Sequence, residues 1–215
     1  MRKIILSIAF ALCSMAYAQA QLSGGLKAGL NLSNISNLDM EEDIDMKSKI
    51  GYHFGAYLNA KLAEKISIQP EVLFSTQGSK ASDSEEDSGY SYEYDIKANV
   101  NYLNIPVLVT FHVNEMFNLY VGPQAGFLLS AELKSEATEE GPDGKESYES
   151  SMDMKEYMKS TDFGVVFGAG VNLPAGLNAS LRYNLGLSDI AEENEGDAIK
   201  NGVLQLSVGY RLFGN

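Results

Sequence analysis

Leu177-Asn178-Ala179-Ser180-Leu181-Arg182-Tyr183-Asn184-Leu185-Gly186-Leu187-Ser188 alternates strictly, with Leu, Ala, Leu, Tyr, Leu and Leu on one face and Asn, Ser, Arg, Asn, Gly and Ser on the other. A period of two held over twelve residues is a strand, because a helix brings every third or fourth residue to one face. The final segment repeats the pattern: Leu204, Leu206, Val208, Tyr210 and Leu212 face away from Gln205, Ser207, Gly209 and Arg211. Six more runs of the same kind lie upstream, beginning at Leu26, Tyr52, Ile66, Tyr102, Phe117 and Phe163. The chain is therefore expected to be all-β, with eight antiparallel strands.

The connections alternate in length. Three are tight: Ala63 to Lys65, His112 to Met116 and Pro174 to Gly176. The other four, residues 34–48, 79–95, 131–158 and 189–200, hold 25 of the 29 Asp and Glu. Their polarity predicts long solvated loops. Short turns at one end and long loops at the other describe an eight-stranded up-and-down transmembrane β-barrel. Both termini and the short turns then lie on the periplasmic side, and the four acidic loops lie outside.

The start of the chain carries an address. Met1-Arg2-Lys3 is basic, residues 4–15 are almost wholly apolar, and Ala16-Tyr17-Ala18 and Ala18-Gln19-Ala20 are small-x-small sites. Residues 1–20 read as a secretory signal peptide cleaved after Ala18 or Ala20, leaving 21–215 as the barrel domain. The apolar run falls short of the ~20 residues a spanning helix requires.

A soluble barrel would also show eight alternating strands. The composition of the polar face decides between the two. It is Gly, Asn, Ser, Gln and Tyr, with isolated charges at Lys27, Lys61, Glu71, Lys97, Arg182 and Arg211. That set suits a narrow filled lumen better than a wetted exterior, which would be rich in Lys and Glu. The apolar face carries no charge in any of the eight strands, and a single Arg at mid-bilayer would cost about 2–4 kcal/mol. Aromatic residues gather toward the strand ends, as interfacial girdles do.

Tyr102-Leu103-Asn104-Ile105-Pro106-Val107-Leu108, Gly122-Pro123-Gln124-Ala125-Gly126 and Arg182-Tyr183-Asn184-Leu185-Gly186-Leu187 resemble the PorT-type family of small outer-membrane β-barrels. Gly25-Leu26-Lys27-Ala28-Gly29-Leu30-Asn31 and Gln69-Pro70-Glu71 are similar to that family too. The resemblance implies an eight-stranded, porin-like barrel in a Gram-negative outer membrane and no catalytic residues. The terminal Phe213-Gly214-Asn215 departs from the bare terminal aromatic that the assembly machinery usually reads, shifting that signal inward to Leu212 or Phe213.

The chemistry-bearing residues are few. A net charge of −13 excludes a sequence-independent nucleic-acid binder. The single Cys excludes a disulfide framework, and no cofactor or structural metal is expected. Lys27, Glu71, Arg182 and Arg211 are expected to meet in the lumen as an ion-pair network, because unpaired buried ions are costly. Asp39, Glu41, Glu42, Asp43 and Asp45 are the densest carboxylate cluster and a candidate for weak cation binding, although they lack the ordered spacing of an EF-hand. His53 is the only candidate catalytic base; Ser75, Gln77 or a loop acid could approach it, but the sequence shows no second-strand partner at a matching height. These observations predict a non-enzymatic outer-membrane protein that is structural, adhesive or partner-docking. A narrow porin-like channel or a secretion-accessory barrel is the alternative. Its neighbours would be membrane lipid, lipopolysaccharide, the assembly machinery and an extracellular or periplasmic protein.

Overall fold

A computed structural model describes residues 22–36, 46–87, 90–142, 144–192 and 196–214. The expected signal peptide at 1–20 and the carboxylate cluster at Asp39–Asp45 lie outside the described residues. The strands are β1 (Leu22–Ser36), β2 (Lys47–Ala63), β3 (Ile66–Gln77), β4 (Ser79–Asp87), β5 (Tyr90–His112), β6 (Phe117–Gly141), β7 (Gly144–Asp153), β8 (Thr161–Asn172), β9 (Leu177–Gly186) and β10 (Lys200–Phe213).

Eight of these close a ring. Antiparallel ladders join β1 to β2, β2 to β3, β3 to β5, β5 to β6, β6 to β8, β8 to β9 and β9 to β10. The last ladder returns β10 to β1, with Leu30 opposite Leu206. Closure is what lipid demands, because an open sheet edge in hydrocarbon would leave backbone N–H and C=O groups unsatisfied. The three tight turns fall where the sequence places them. In one of them Asn114 Oδ1 accepts hydrogen bonds from the backbone N–H of Met116 and Phe117 at 2.9 and 2.7 Å.

The alternation resolves as an inside-out cylinder. Leu119, Leu181, Leu206 and Leu30 belong to successive or neighbouring staves at one height, and Leu30 is 58% exposed although it is apolar. The intervening positions, Lys27, Asn31, His53, Glu71, Arg182 and Gln205 among them, are buried in the lumen. Many aromatic rings face outward as well: Tyr52, Phe54 and Phe74 pack as a cluster with centroids 5.3–6.4 Å apart.

Two acidic segments differ from expectation. Residues 79–87 and 90–95, and 131–141 and 144–153, are not irregular loops but strands that continue the ladders. β4 extends β3 past a break at Gly78 and pairs with β5, while β7 pairs with the outer half of β6. Their polarity forbids a packed core, yet it does not forbid a ladder whose first rungs the barrel already supplies. Gly78 makes the break possible: its φ of +135° suits glycine alone, and an added Cβ would strike the Ala98 carbonyl oxygen. The result is a four-stranded sheet, β4-β5-β6-β7, standing above the ring.

Inside the outer end of the ring, Ile35, Val100, Tyr102, Leu128, Ala131 and Ile190 form an apolar plug, with Met154, Met158 and Ile199 against it. A bulge in the β5–β6 ladder, where Asn101 pairs with Ser130 and Tyr102 with Leu128, reverses the parity of β6 beyond it, so that Leu128 keeps the inward face of Tyr120 and Ala131 turns inward in place of Ser130.

Leu206→Arg puts a cation in the middle of the lipid-facing girdle and is expected to lower folding stability in vesicles by about 2–4 kcal/mol. Urea titration of the heat-modifiable band measures this. Gly78→Ala is expected to cost at least about 1 kcal/mol in the same assay, because the new side chain would have to occupy a positive-φ position.

Candidate functional site

The lumen is bound together by one carboxylate. Glu71 on β3 accepts from Lys27 Nζ on β1 at 2.6 Å through Oε1, and from Arg182 Nη1 on β9 at 2.7 Å through Oε2. Gln69 Nε2 adds a second donor to Oε1 at 2.7 Å. Lys27, Glu71 and Arg182 are 5%, 1% and 1% exposed. All three reach the axis because each sits on the inward parity of its strand. Lys27 also lies over the Tyr57 ring, 5.8 Å from its centroid. At this depth a charge is tolerable only when paired, and each of these is.

From this triad the network climbs toward the outside. Arg182 Nε donates to Gln205 Oε1 at 2.6 Å, and Gln205 Nε2 donates to Asn31 Oδ1 at 2.8 Å. Asn31 Oδ1 also meets His53 Nδ1 at 2.7 Å, and His53 Nε2 meets Ser207 Oγ at 2.8 Å. Since Asn31 Oδ1 only accepts, the proton sits on Nδ1, and Nε2 accepts from the serine hydroxyl. Asn31 is itself fixed by Nδ2 donating to Ser75 Oγ and to the backbone carbonyls of Tyr52 and Thr76, at 2.8–3.0 Å.

His53 therefore has the second-strand partner that the sequence does not reveal. The ladders place His53 and Ser207 on either side of Gly29 in one row, and a Cβ at Gly29 would come within 2.7 Å of the imidazole. The order serine, histidine, asparagine has the connectivity of a hydrolytic triad. All three are buried from substrate, however: each is about 1% exposed and none lines the cavity at the turn end of the lumen. The arrangement acts as a brace between β1, β2 and β10.

Arg211 does not join the network. It is exposed at the periplasmic mouth, two rungs beyond the last buried position of β10 and beside the bulge at Gly24/Gly25. There the lumen is open to water and the charge needs no partner. Near the outer end, Asp162 accepts from Ser188 Oγ at 2.7 Å and from Asn201 Nδ2 at 2.9 Å, closing the rim beneath the apolar plug. Toward the periplasm lies a cavity of about 920 Å³ that stops at Lys27, Tyr57 and Tyr120. Among the described residues, no group of three His, Cys, Asp or Glu could hold a metal ion.

A closed ring, a filled polar lumen and an apolar exterior are the properties of a small outer-membrane barrel. A family model described as the outer membrane protein beta-barrel domain matches residues 17–192. The chain belongs to that family. It is an integral outer-membrane protein.

Solved structures of similar fold include the attachment invasion locus protein Ail of Yersinia pestis, at 15% identity over 88% of this chain and 98% of that one, with a TM-score of 0.42. Neisserial surface protein A is similar at 10% identity over 88% and 96%, with a TM-score of 0.41. The CymD monoaromatic hydrocarbon channel is similar at 8% identity over 94% and 71%, with a TM-score of 0.34. No curated protein matches the chain.

Glu71→Gln removes the only carboxylate in this cluster and leaves Lys27 and Arg182 buried without it. A loss of about 3–5 kcal/mol is expected, against a near-neutral outcome when Lys27, Glu71 and Arg182 are all replaced by apolar residues of matching volume. Denaturant titration of the refolded variants distinguishes the two.

Proposed function

We propose that this protein is a non-catalytic docking barrel that holds an acidic, tyrosine-bearing sheet out to an extracellular protein partner. The observation that carries this reading is the length of β5 and β6. They run for 23 and 25 residues, more than twice the ~9–11 that a spanning strand needs. Roughly half of each hairpin therefore lies beyond the membrane.

The projecting sheet has two unlike faces. One carries Tyr90, Tyr92, Tyr94 and Tyr148, all at least 39% exposed, in register with Ala137 and Glu139. The other carries Asp95 opposite Glu136 and Glu136 opposite Glu149. β7 is exposed along all ten residues, and among the described residues it pairs only with β6. A free strand edge offers backbone hydrogen bonds to an extended segment. Rows of carboxylates beside aromatic rings suit a cationic one. Rigid scaffolds with long exposed connections are where binding commonly resides.

The Ser207–His53–Asn31 brace supports a non-enzymatic reading because substrate has no route to it. The outward leucines imply contact with phospholipid and lipopolysaccharide, and the acidic segments, Asp39 to Asp45 included, suit weak cation bridging to lipopolysaccharide phosphates. The PorT-type resemblance makes a secretion-accessory role the finer alternative for the same docking chemistry.

A conduit is the second reading. It draws support from buried polar atoms that lack partners along one side of the lumen, on Asn104, Gln124 and Asn184. Against it stand the triad and the apolar plug, which cross the axis at two heights.

Replacing residues 136–149 with a two-residue Asn-Gly turn should preserve heat-modifiable migration and abolish attachment of expressing cells to surfaces coated with a basic protein such as lysozyme. Attachment by the intact chain should weaken with salt. Equal attachment by the shortened chain would overturn the docking reading, and single-channel steps in planar bilayers would favour the conduit.

A further inference from the structure

The periplasmic end of the lumen is built for negative charge, and nothing in the outer sheet uses it. We infer that the periplasmic vestibule is a binding site for an oxyanion, a phosphate or carboxylate group carried by a small soluble periplasmic ligand. Three independent observations carry this.

The first is an imbalance of buried charge. Lys27 and Arg182 share the single carboxylate of Glu71, so a positive charge is left over in a cluster that is no more than 5% exposed. Lys27 is also the member of that cluster that lines the vestibule. Low-dielectric surroundings strengthen its pull on an entering anion.

The second is the rim. Lys61, Lys65 and Arg211 line the same cavity, and none of them makes an ion pair among the described residues. The lining thus sets four cations against two carboxylates, Glu64 and Glu115. A concave wall of one dominant sign raises the local concentration of the opposite ion.

The third is an unpartnered donor. Thr110 Oγ1 is on a residue 3% exposed, lines the cavity and has no hydrogen-bond partner. Buried hydroxyls are normally satisfied, and this one is satisfied by an acceptor that enters from the periplasm. The cavity, about 920 Å³, holds a small solute with room for water beside it. Its walls are the barrel's own strands, so a soluble anion reaches the floor by a path that membrane lipid does not share.

The test uses the barrel refolded in detergent micelles and labelled with ¹⁵N, with folding of every variant checked by heat-modifiable migration. It is titrated separately with inorganic phosphate and with succinate. Saturable shifts at Lys27, Thr110 and Arg211 are expected with at least one of them. The apparent Kd should rise about tenfold in Lys61→Gln/Arg211→Gln, the loss of charge-assisted hydrogen bonds at the rim. Arg211→Gln alone should give a smaller rise, and Lys145→Gln on the outer hairpin should give none. A linear, non-saturating response, or an unchanged Kd in the double variant, would overturn the proposal. Saturation seen only in nanodiscs containing phosphatidylglycerol, and never with the soluble anions, would overturn it too and assign the rim to lipid headgroups.

Discussion

Glu71 is the constraint around which the rest of the molecule is arranged. It joins β3 to β1 across 44 residues of sequence and to β9 across 111, so the three strands can be satisfied together only when the ring is closed in one register. A slip of one residue in β1 would turn Lys27 toward the acyl chains and bring Leu26 or Ala28 to the axis. The ion pairs add little net stability compared with apolar filling. Their value is that wrong registers leave a charge in hydrocarbon and a carboxylate unpaired. Lipid sets the outer face of each stave and the triad sets the inner face, and the period of two links the two.

The lumen changes character along its axis for physical reasons that follow from the supply of water. At the periplasmic mouth water enters, so Arg211 and Lys61 need no ion-pair partners. Around mid-depth water is excluded, and charges are paired or replaced by amides and hydroxyls in a chain from Arg182 to Ser207. At the outer end Ile35, Val100 and Leu128 fill the ring with apolar volume that asks for no partner. Charge is sorted in the same direction, with carboxylates gathered outside and cations dominating the vestibule.

The eight staves and their tight turns are legible in the sequence because the bilayer enforces a sharp rule: one charge on the outward parity costs as much as a marginal barrel can lose. Lys27, Glu71 and Arg182 are legible for a related reason, since the inward parity carries so few ions that they must find one another. Arg211 has the correct parity and the wrong depth, because parity says which face a residue takes and not whether water reaches that height. His53 is hidden differently. Its contacts with Asn31 and Ser207 depend on the register of β1 against both β2 and β10, and on Gly29 leaving space between them, and neither is encoded in any single stretch. Ala131 escapes because a bulge between Leu128 and Ser130 reverses the face on which the rest of β6 lies.

The acidic hairpins show where polarity and secondary structure part company. Residues rich in Ser, Glu and Asp fail to form a core, so composition predicts irregular loops. A ladder already nucleated by the barrel needs no core to continue; it needs only that each further rung cost little. Asp95, Glu136 and Glu149 lie opposite one another in a row that would repel, but none is buried and Glu149 is exposed, so solvent screening reduces that repulsion to a fraction of its buried value. On the opposite face, tyrosines take up the cross-strand positions: Tyr94 is paired with Ala137, and Ala137 with Tyr148. Aromatic residues favour such pleated positions, where their rings pack against cross-strand and same-face neighbours. The sheet thus stands on backbone pairing and aromatic rows while carrying an excess of negative charge. A cationic partner that neutralised that charge would stiffen the sheet in the act of binding it.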